Sequence, residues 1–558
     1  MTARVDDASV LIAGGGPAGL AAALELGRRG VDVVILEPRV EVLLDRPRAK
    51  TTSVRTMEHF RRWGIADRIR AVSPIPVAWS HEAVFATSLL GREITRFHDC
   101  FGLAAERRDE FAESGQQIPQ PLVERVLREA VAQQPTITLA TGWELTGLVE
   151  GRDHVMVDAV DLGGERRQFR ARFVLGCDGS TSATRHALGI EFEGSTDVRT
   201  NFNMVFRAPG LARRVPHVSA IHYWVLDPGV PGLVGRMDLD DTWWAMAMRV
   251  SADVGDADPV RLIRALIGSG PDVSADDIDI EVASTDPWTA RMLNAKSYGA
   301  ARVFLVGDAA HLNPPWGGHG FNTAVGDAVN IGWKLAAVLH GWGGGGLLRS
   351  YEAERRPIAQ QTIDLAAANM AHLSTNFADP LLAAAGPGGD AARAEAAARI
   401  QAAKDAEFHS LGLVLGYHYG SSPVIVADGT PEPAVDPSRY VPSIRPGARL
   451  PHCWLPDGRS LYDALGHGFT LVCLDPAVDP TPFVRAAANH GTPLTVVDGR
   501  GPEWSSVQLA TSYDAALLLV RPDQHVAWGT SEPVVGDTTA ARVLDHVTGR
   551  RSLTAGAS

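Results

Sequence analysis

The sequence is poor in several things, and each shortage excludes something. Only four cysteines stand in 558 residues (Cys100, Cys177, Cys453, Cys473), none in a CxxC pair or a zinc-like cluster. That excludes a disulfide framework and a cysteine-based metal site; no metal is expected, and the setting expected is a reducing cytoplasm. No apolar run reaches the roughly 18 residues of a membrane-spanning helix. Met1 to Ser9 carries Asp6 and Asp7 and lacks the basic and apolar regions of a signal peptide. Positive charge is also short: 52 Lys and Arg face 65 Asp and Glu, a net −13, which argues against nucleic acid as a partner. Lysine is the scarcest cation, with four (Lys50, Lys296, Lys334, Lys404) among the 52, leaving 48 arginines. With the abundance of Ala and Gly, this reads as codon bias rather than function.

What is present is ordinary for a folded protein: 45% hydrophobic, 21% charged and 7% aromatic. Disorder, collagen and coiled coil are excluded as descriptions of the whole. The length allows about three or four domains.

Val10 to Ala13, a glycine turn, a helical stretch Leu20 to Arg29 and the apolar Val31 to Glu37 spell a βαβ opening. Helical sequence follows at Arg55 to Arg70 and Leu122 to Gln133. From about Asn201 the texture changes to short aromatic and branched runs, at Asn201–Phe206, His222–Leu226, Gly232–Met237 and Thr242–Arg249. Turn residues separate them, which predicts an antiparallel sheet inserted in an α/β frame. Arg302 to Gly307 restores a buried strand, and helices are expected over Asn322–His340 and Tyr351–His372. A C-terminal α/β unit has strands at Phe469–Leu474, Leu494–Val497 and Ala516–Val520.

Three motifs carry chemistry. Gly14-x-Gly16-Pro17-x-Gly19 lies between the first strand and helix, and Glu37 stands 18 residues past its last glycine. The glycines permit a tight turn, close approach of backbone to a pyrophosphate and helix–strand packing. The acid at the second strand's end is placed for a ribose hydroxyl, so dinucleotide binding is expected. The other two motifs are Asp178-Gly179-Ser-x-Ser182 after Phe173 to Cys177, and Gly307-Asp308-Ala-Ala-His311 with Pro314-Pro315. Each puts an Asp just past a buried strand, where open α/β sheets bind ligands, although an isolated Asp there most often caps a helix.

In this order the motifs resemble the FAD-dependent aromatic monooxygenases of the para-hydroxybenzoate hydroxylase fold. The chain is most similar to the long variants: 3-(3-hydroxyphenyl)propionate hydroxylase, phenol hydroxylase and the aromatic polyketide hydroxylases. The resemblance implies an α/β fold with a Rossmann-like FAD-binding domain interleaved with an antiparallel-sheet substrate domain, plus a thioredoxin-like C-terminal domain without CxxC. The expected limits are 1–190 for the FAD domain (with a substrate-side excursion near 75–115) and 191–290 for the substrate sheet. The second FAD part and long helices take 291–400, and the tail 401–558.

By the same resemblance, Gly14, Gly16, Pro17, Gly19, Glu37, Arg48, Gln120, Asp178, Gly179 and Asp308 hold FAD. Asp178-Gly179 also lies near the path of NADPH or NADH, the transient reductant. Pro315 presents its carbonyl beside flavin and substrate, and Gly318, Gly320, Phe321 and Asn322 form the loop and helix start under the ring. That helix end can stabilise negative charge on the reduced flavin. His311 reads as structural, and His319 is given no special role. His222, Tyr223, Trp224, Arg236, Trp243 and Trp244 are candidates for the substrate wall, although strand alternation turns about half of any such run away. His222 or Tyr223 is placed to relay a phenolic proton.

The reaction implied is hydroxylation of a small phenolic or polyketide-type aromatic substrate by molecular oxygen, through a C4a-hydroperoxyflavin, in a monomer or homodimer. Two alternatives stay open: a Baeyer–Villiger or quinone-oxidising tailoring flavoprotein, and a non-catalytic flavin-binding protein. A flavin halogenase is disfavoured, because no Trp-x-Trp-x-Ile-Pro occurs.

Overall fold

A computed structural model describes residues 5–44, 48–250, 258–372, 376–429, 431, 434–499 and 515–551. Three sheets organise it. In the first, the strands Ile137–Thr141, Val33–Glu37, Val5–Ala13, Arg166–Gly176 and Val303–Leu305 run parallel in that order. Val155–Asp161 and Trp143–Glu150 extend it antiparallel along the first half of Arg166–Gly176. Val10, Leu11 and Ile12 are fully buried, as a parallel strand covered on both faces must be. Leu20, Ala22 and Leu24 of the helix Pro17–Gly27 share one buried core with Val325, Ala328 and Ile331 of the helix His319–Leu339.

The second sheet has eight strands: His311–Leu312, Glu281–Ala295, Phe192–Arg207, Thr242–Val250, Gly232–Arg236, His222–Val225, Ala83–Ala86 and Glu93–Phe97. Its last two strands come from the stretch between the helices Ala66–Val72 and Gln120–Ala132. One face packs on the helix Pro259–Ile267 through Leu262, Ile263 and Leu266. The opposite face carries Phe85, Phe97, Trp224, Trp244 and Met246 and meets Ile400 and Phe408 of the helix Pro387–Phe408. That helix runs through 401, so chain drawn as the start of the tail packs in the substrate-sheet core.

The third sheet orders Leu494–Asp498, Phe469–Cys473, Leu517–Val520 and Val526–Thr530, with the first pair parallel and the rest antiparallel. The helices Thr481–His490 and Asp537–Val547 complete the thioredoxin-like βαβ–ββα layout. No disulfide joins the four cysteines among the described residues.

Two differences from the sequence reading are instructive. Arg55–Arg70 forms two helices, Val54–Arg62 and Ala66–Val72, because the chain turns at Gly64. The strand Glu281–Ala295 went unread: Pro287 and alternating charged residues hide a strand that pairs on both edges.

Candidate active site

One cavity of about 1090 Å³ runs from the glycine turn of the first sheet to the aromatic face of the second. At the first end Gly14 has φ +99°, and a Cβ on Gly19 would stand 2.0 Å from the Gly14 carbonyl oxygen. Both glycines are thus required by the turn itself. Gly16 differs: a Cβ there would meet nothing within 4 Å and would project into the cavity. Gly16 is also the N-cap of the helix Pro17–Gly27 and supplies no side-chain cap, so the first N–H groups stay free for an anion.

Glu37 is buried at the cavity edge. Its Oε2 accepts the Gly15 N–H at 2.7 Å, and its Oε1 accepts the Arg39 N–H and Nε–H at 3.0 and 2.8 Å. Arg48 (φ +27°) and Gln120 line the same end, with the Gln120 N–H donating to the Ala49 carbonyl at 2.8 Å. This donor and acceptor set, around space that only glycine leaves open, fits a dinucleotide.

Asp178 and Gly179 line the cavity, but Asp178 does what an isolated Asp in its position does. Its Oδ2 accepts the Thr184 N–H and Oγ1–H, each at 2.9 Å, and its Oδ1 accepts the Ser182 hydroxyl, so it braces the start of the helix Ala183–Ala187. Asp308 faces the cavity, and enclosure raises its pKa. Its loop is anchored from behind. Asp327, fully buried, accepts the Gly307 N–H at 3.2 Å, His311 at 2.7 Å and Arg355 at 2.7 Å; Arg355 also donates to the Tyr419 hydroxyl at 3.0 Å. Burial disfavours a charged His311, but Asp327 outweighs it and raises the imidazole pKa. His311 is a structural ion-pair member.

Pro315, Gly318, Gly320 and Phe321 line the cavity floor. The Pro315 carbonyl already accepts the Gly318 N–H at 3.0 Å, closing the turn that starts the helix His319–Leu339. That helix is capped by Gly318 at φ +69° without a side chain, so its positive end opens on the cavity. Asn322 does not line this cavity. Its side chain accepts the Ser53 N–H at 2.9 Å and the Thr56 hydroxyl at 2.8 Å, and donates to the carbonyls of Thr51 at 3.1 Å and Gly318 at 2.7 Å. It is a bracket between two cavity walls.

On the second sheet, alternation divides the candidates. His222, Trp224 and Trp244 face the cavity, whereas Tyr223, Arg236 and Trp243 do not. Tyr223 is a correction: its hydroxyl, on the helix side, donates to Val218 and accepts from Ala220, each at 3.0 Å, so it is not placed to relay a proton from the cavity. Arg236 is spent on the carbonyls of Asp238 and Asp240 and stacks on Trp243. His222 lies edge-on between Phe101 and Trp244, with ring centroids 5.6 and 5.4 Å away. Burial, then Lys50, pushes its pKa down to about 3. Sequence reasoning missed Lys50, Trp288 and Glu407 as cavity residues. Lys50 stands two places from Arg48, and that spacing was the available signal; Trp288 sat in the unread strand.

A family profile described as "FAD binding domain" matches residues 7–366, and another, "Aromatic-ring hydroxylase, C-terminal", matches 443–550. A putative polyketide hydroxylase of Streptomyces halstedii is 32% identical over 98% of this chain and 99% of its own. The solved structure of RebC with bound 7-carboxy-K252c superposes with a TM-score of 0.88 at 33% identity, covering 98% of this chain and all of RebC. A ternary complex of aklavinone-11 hydroxylase with FAD and aklavinone gives 0.79 at 26% identity, covering 99% of this chain and 100% of that one. The glycine turn with its acid, the aromatic sheet across the cavity and these matches along the whole chain agree: the protein belongs to the FAD-dependent aromatic-ring hydroxylases.

Proposed function

We propose that the protein is an NAD(P)H-consuming monooxygenase that inserts one oxygen atom from O₂ into a phenolic, polyketide-type polycyclic substrate. One observation carries this reading: a single cavity joins the dinucleotide-fitted end to an aromatic wall. At about 1090 Å³ it exceeds the ~300–1,000 Å³ of ordinary ligand pockets, leaving room for a flat polycycle beside the cofactor.

The chain's residues divide the work. Gly14, Gly16 and the helix start at Pro17 hold the pyrophosphate, Glu37 the adenosine ribose, and Arg48, Gln120 and Asp308 the remainder of the chain up to the ring. FAD, when bound, supplies the acceptance of hydride from NAD(P)H and the activation of O₂. The helix end at Gly318 to Phe321 offers N–H groups and a positive dipole to charge that develops on the reduced ring. Phe101, Trp224, Trp244, Trp288 and Trp316 keep the reaction space apolar; Trp288 and Trp316 pack with centroids 5.8 Å apart. His222, held neutral, offers a hydrogen bond to a ring hydroxyl, and Pro315 lines the same space with a carbonyl that can accept a second hydrogen bond.

The test is FAD-loaded protein given NADPH or NADH and a panel of phenols, hydroxynaphthoquinones and hydroxyanthraquinones. Ligand-stimulated NAD(P)H oxidation with little peroxide, and a product heavier by one oxygen atom, is the expected result. Peroxide alone from every compound, or protein that takes up no flavin, overturns the reading.

A further inference from the structure

Three of the four lysines are paired with carboxylates: Lys296 with Glu191, Lys334 with Glu354 and Lys404 with Glu407. Lys50 is not, among the described residues. Its ammonium donates to the Arg48 carbonyl at 3.2 Å and stands 4.2 Å over the centroid of Trp244, at the aromatic end of the cavity. Its backbone is held rigidly, with the Ile118 N–H on its own carbonyl at 2.8 Å and the Gln120 N–H on that of Ala49 at 2.8 Å. The buried Nδ1 of His222, which also packs on Trp244, has no hydrogen-bond partner.

Lys50 is half-buried, with its ammonium at the cavity and no carboxylate beside it, so a ligand that covers it removes its water and is favoured only if it brings an anionic group in return. Enclosure lowers the Lys50 pKa only to about 8, so it stays mostly charged at neutral pH. The aromatic ring beneath steadies the charge without neutralising it. The other carboxylates at the cavity whose partners are described, Glu37, Asp178 and Glu407, are engaged with Arg39, Ser182 and Thr184, and Lys404.

We propose that Lys50, on its Trp244 platform and beside His222, is the residue that recognises an anionic oxygen (a carboxylate or a phenolate) carried by the aromatic substrate. This rests on the reading of the cavity as an aromatic-substrate site, and it adds a specificity: between isosteric rings, the one bearing the anion is preferred.

The test titrates FAD-loaded protein with 2-naphthoate, 2-naphthamide and 2-naphthol, following the flavin absorption band. At neutral pH the acid is expected to bind tighter than the amide by about tenfold or more, the scale of one charge-assisted hydrogen bond. Lys50→Met should bring that ratio to about one with the amide's affinity kept, and Lys50→Arg should restore the preference. If 2-naphthol binds as its anion, seen by the naphtholate absorption, and loses this in Lys50→Met, the phenolate is the oxygen recognised. An unchanged acid-to-amide ratio in Lys50→Met overturns the proposal. So does equal loss of acid and amide, or a shift in flavin potential with no change in ligand preference. The expected preference among these probes, together with peroxide alone from every phenol and quinone of the activity panel, would defeat the monooxygenase reading and leave Lys50's role standing. Failure of all three probes to bind would defeat both.

Discussion

Two glycines three positions apart in one turn make different demands. A methyl group on Gly19 has no room beside the Gly14 carbonyl, so Gly19→Ala should destabilise the fold by about 1–3 kcal/mol and lose flavin with it. A methyl group on Gly16 meets only cavity, so Gly16→Ala should melt like the parent yet bind FAD roughly tenfold more weakly. Parallel melting curves and flavin titrations separate the two; equal losses in both variants would remove Gly16 from the phosphate site. The glycines and Glu37 were legible because spacing and chain order alone define that motif. Tyr223 was not, since a strand's period is visible in sequence while its phase is set by what packs above and below. Tyr223→Phe should cost about 1–3 kcal/mol, by leaving the Ala220 N–H without an acceptor, and leave the pH–rate profile unmoved. His222, with its pKa near 3, contributes no inflection through the neutral range, so His222→Gln should alter kcat/KM without changing the profile's shape.

At the scale of elements, the helix His319–Leu339 and the segment Thr51–Arg62 are separate in sequence and joined by one amide. Asn322 contacts Thr51, Ser53, Thr56 and Gly318. Removing it in Asn322→Ala should lower stability by about 1–3 kcal/mol and weaken flavin binding several-fold, although the side chain lines no part of the main cavity. Calorimetric melting and flavin release on dilution measure the two effects; intact flavin affinity would show that the two walls are positioned independently. Such a bracket was invisible beforehand, because three of its four partners lie about 270 positions away. The glycine-rich start of the same helix was visible, because its composition permits little else. Glu281–Ala295 escaped for a related reason: its identity as a strand comes from Phe192–Arg207 beside it, not from its own propensity.

Over the whole molecule, the C-terminal unit is joined to the flavin frame by buried charge rather than by grease alone. Arg521 grips both oxygens of Glu354 at 2.8 Å; Lys334 reaches the same carboxylate at 2.7 Å, Trp333 donates to Asp523 at 3.1 Å, and Arg449 meets Glu58. Burial by itself would raise the Glu354 pKa, but Arg521 and Lys334 outweigh it and hold the carboxyl well below its ordinary 4.5. A depressed carboxyl stabilises the fold above its unfolded-state pKa and loses that contribution as pH falls toward the folded value. Urea midpoints should therefore decline as pH drops below about 4.5, and Glu354→Gln, which strands Lys334 and leaves Arg521 with Asp523 alone, should cost about 3–5 kcal/mol at neutral pH. A Glu354→Gln variant with the parent's urea midpoint would show that this contact is dispensable. The tail was recognisable by resemblance as a thioredoxin-like domain, yet its bracing of the frame through Arg521 and Asp523 depends on partners far away in the chain, which no local pattern shows.

The path of the chain between its first two sheets bears on how such enzymes can change substrate. From Val5 onward it serves the flavin sheet, leaves for Ala83–Phe97, returns for Ile137–Gly176, leaves again for Phe192–Ala295 and comes back at Val303, before His311–Leu312 adds a short edge strand to the second sheet. No single crossover point in a gene can exchange the whole aromatic wall, because the strands that carry its aromatic side chains arrive in two instalments with flavin-sheet strands between them. A functional chimera with a relative must carry both instalments together or neither. New specificity in this architecture is therefore more accessible to point changes on the cavity-facing positions of existing strands than to the trading of modules.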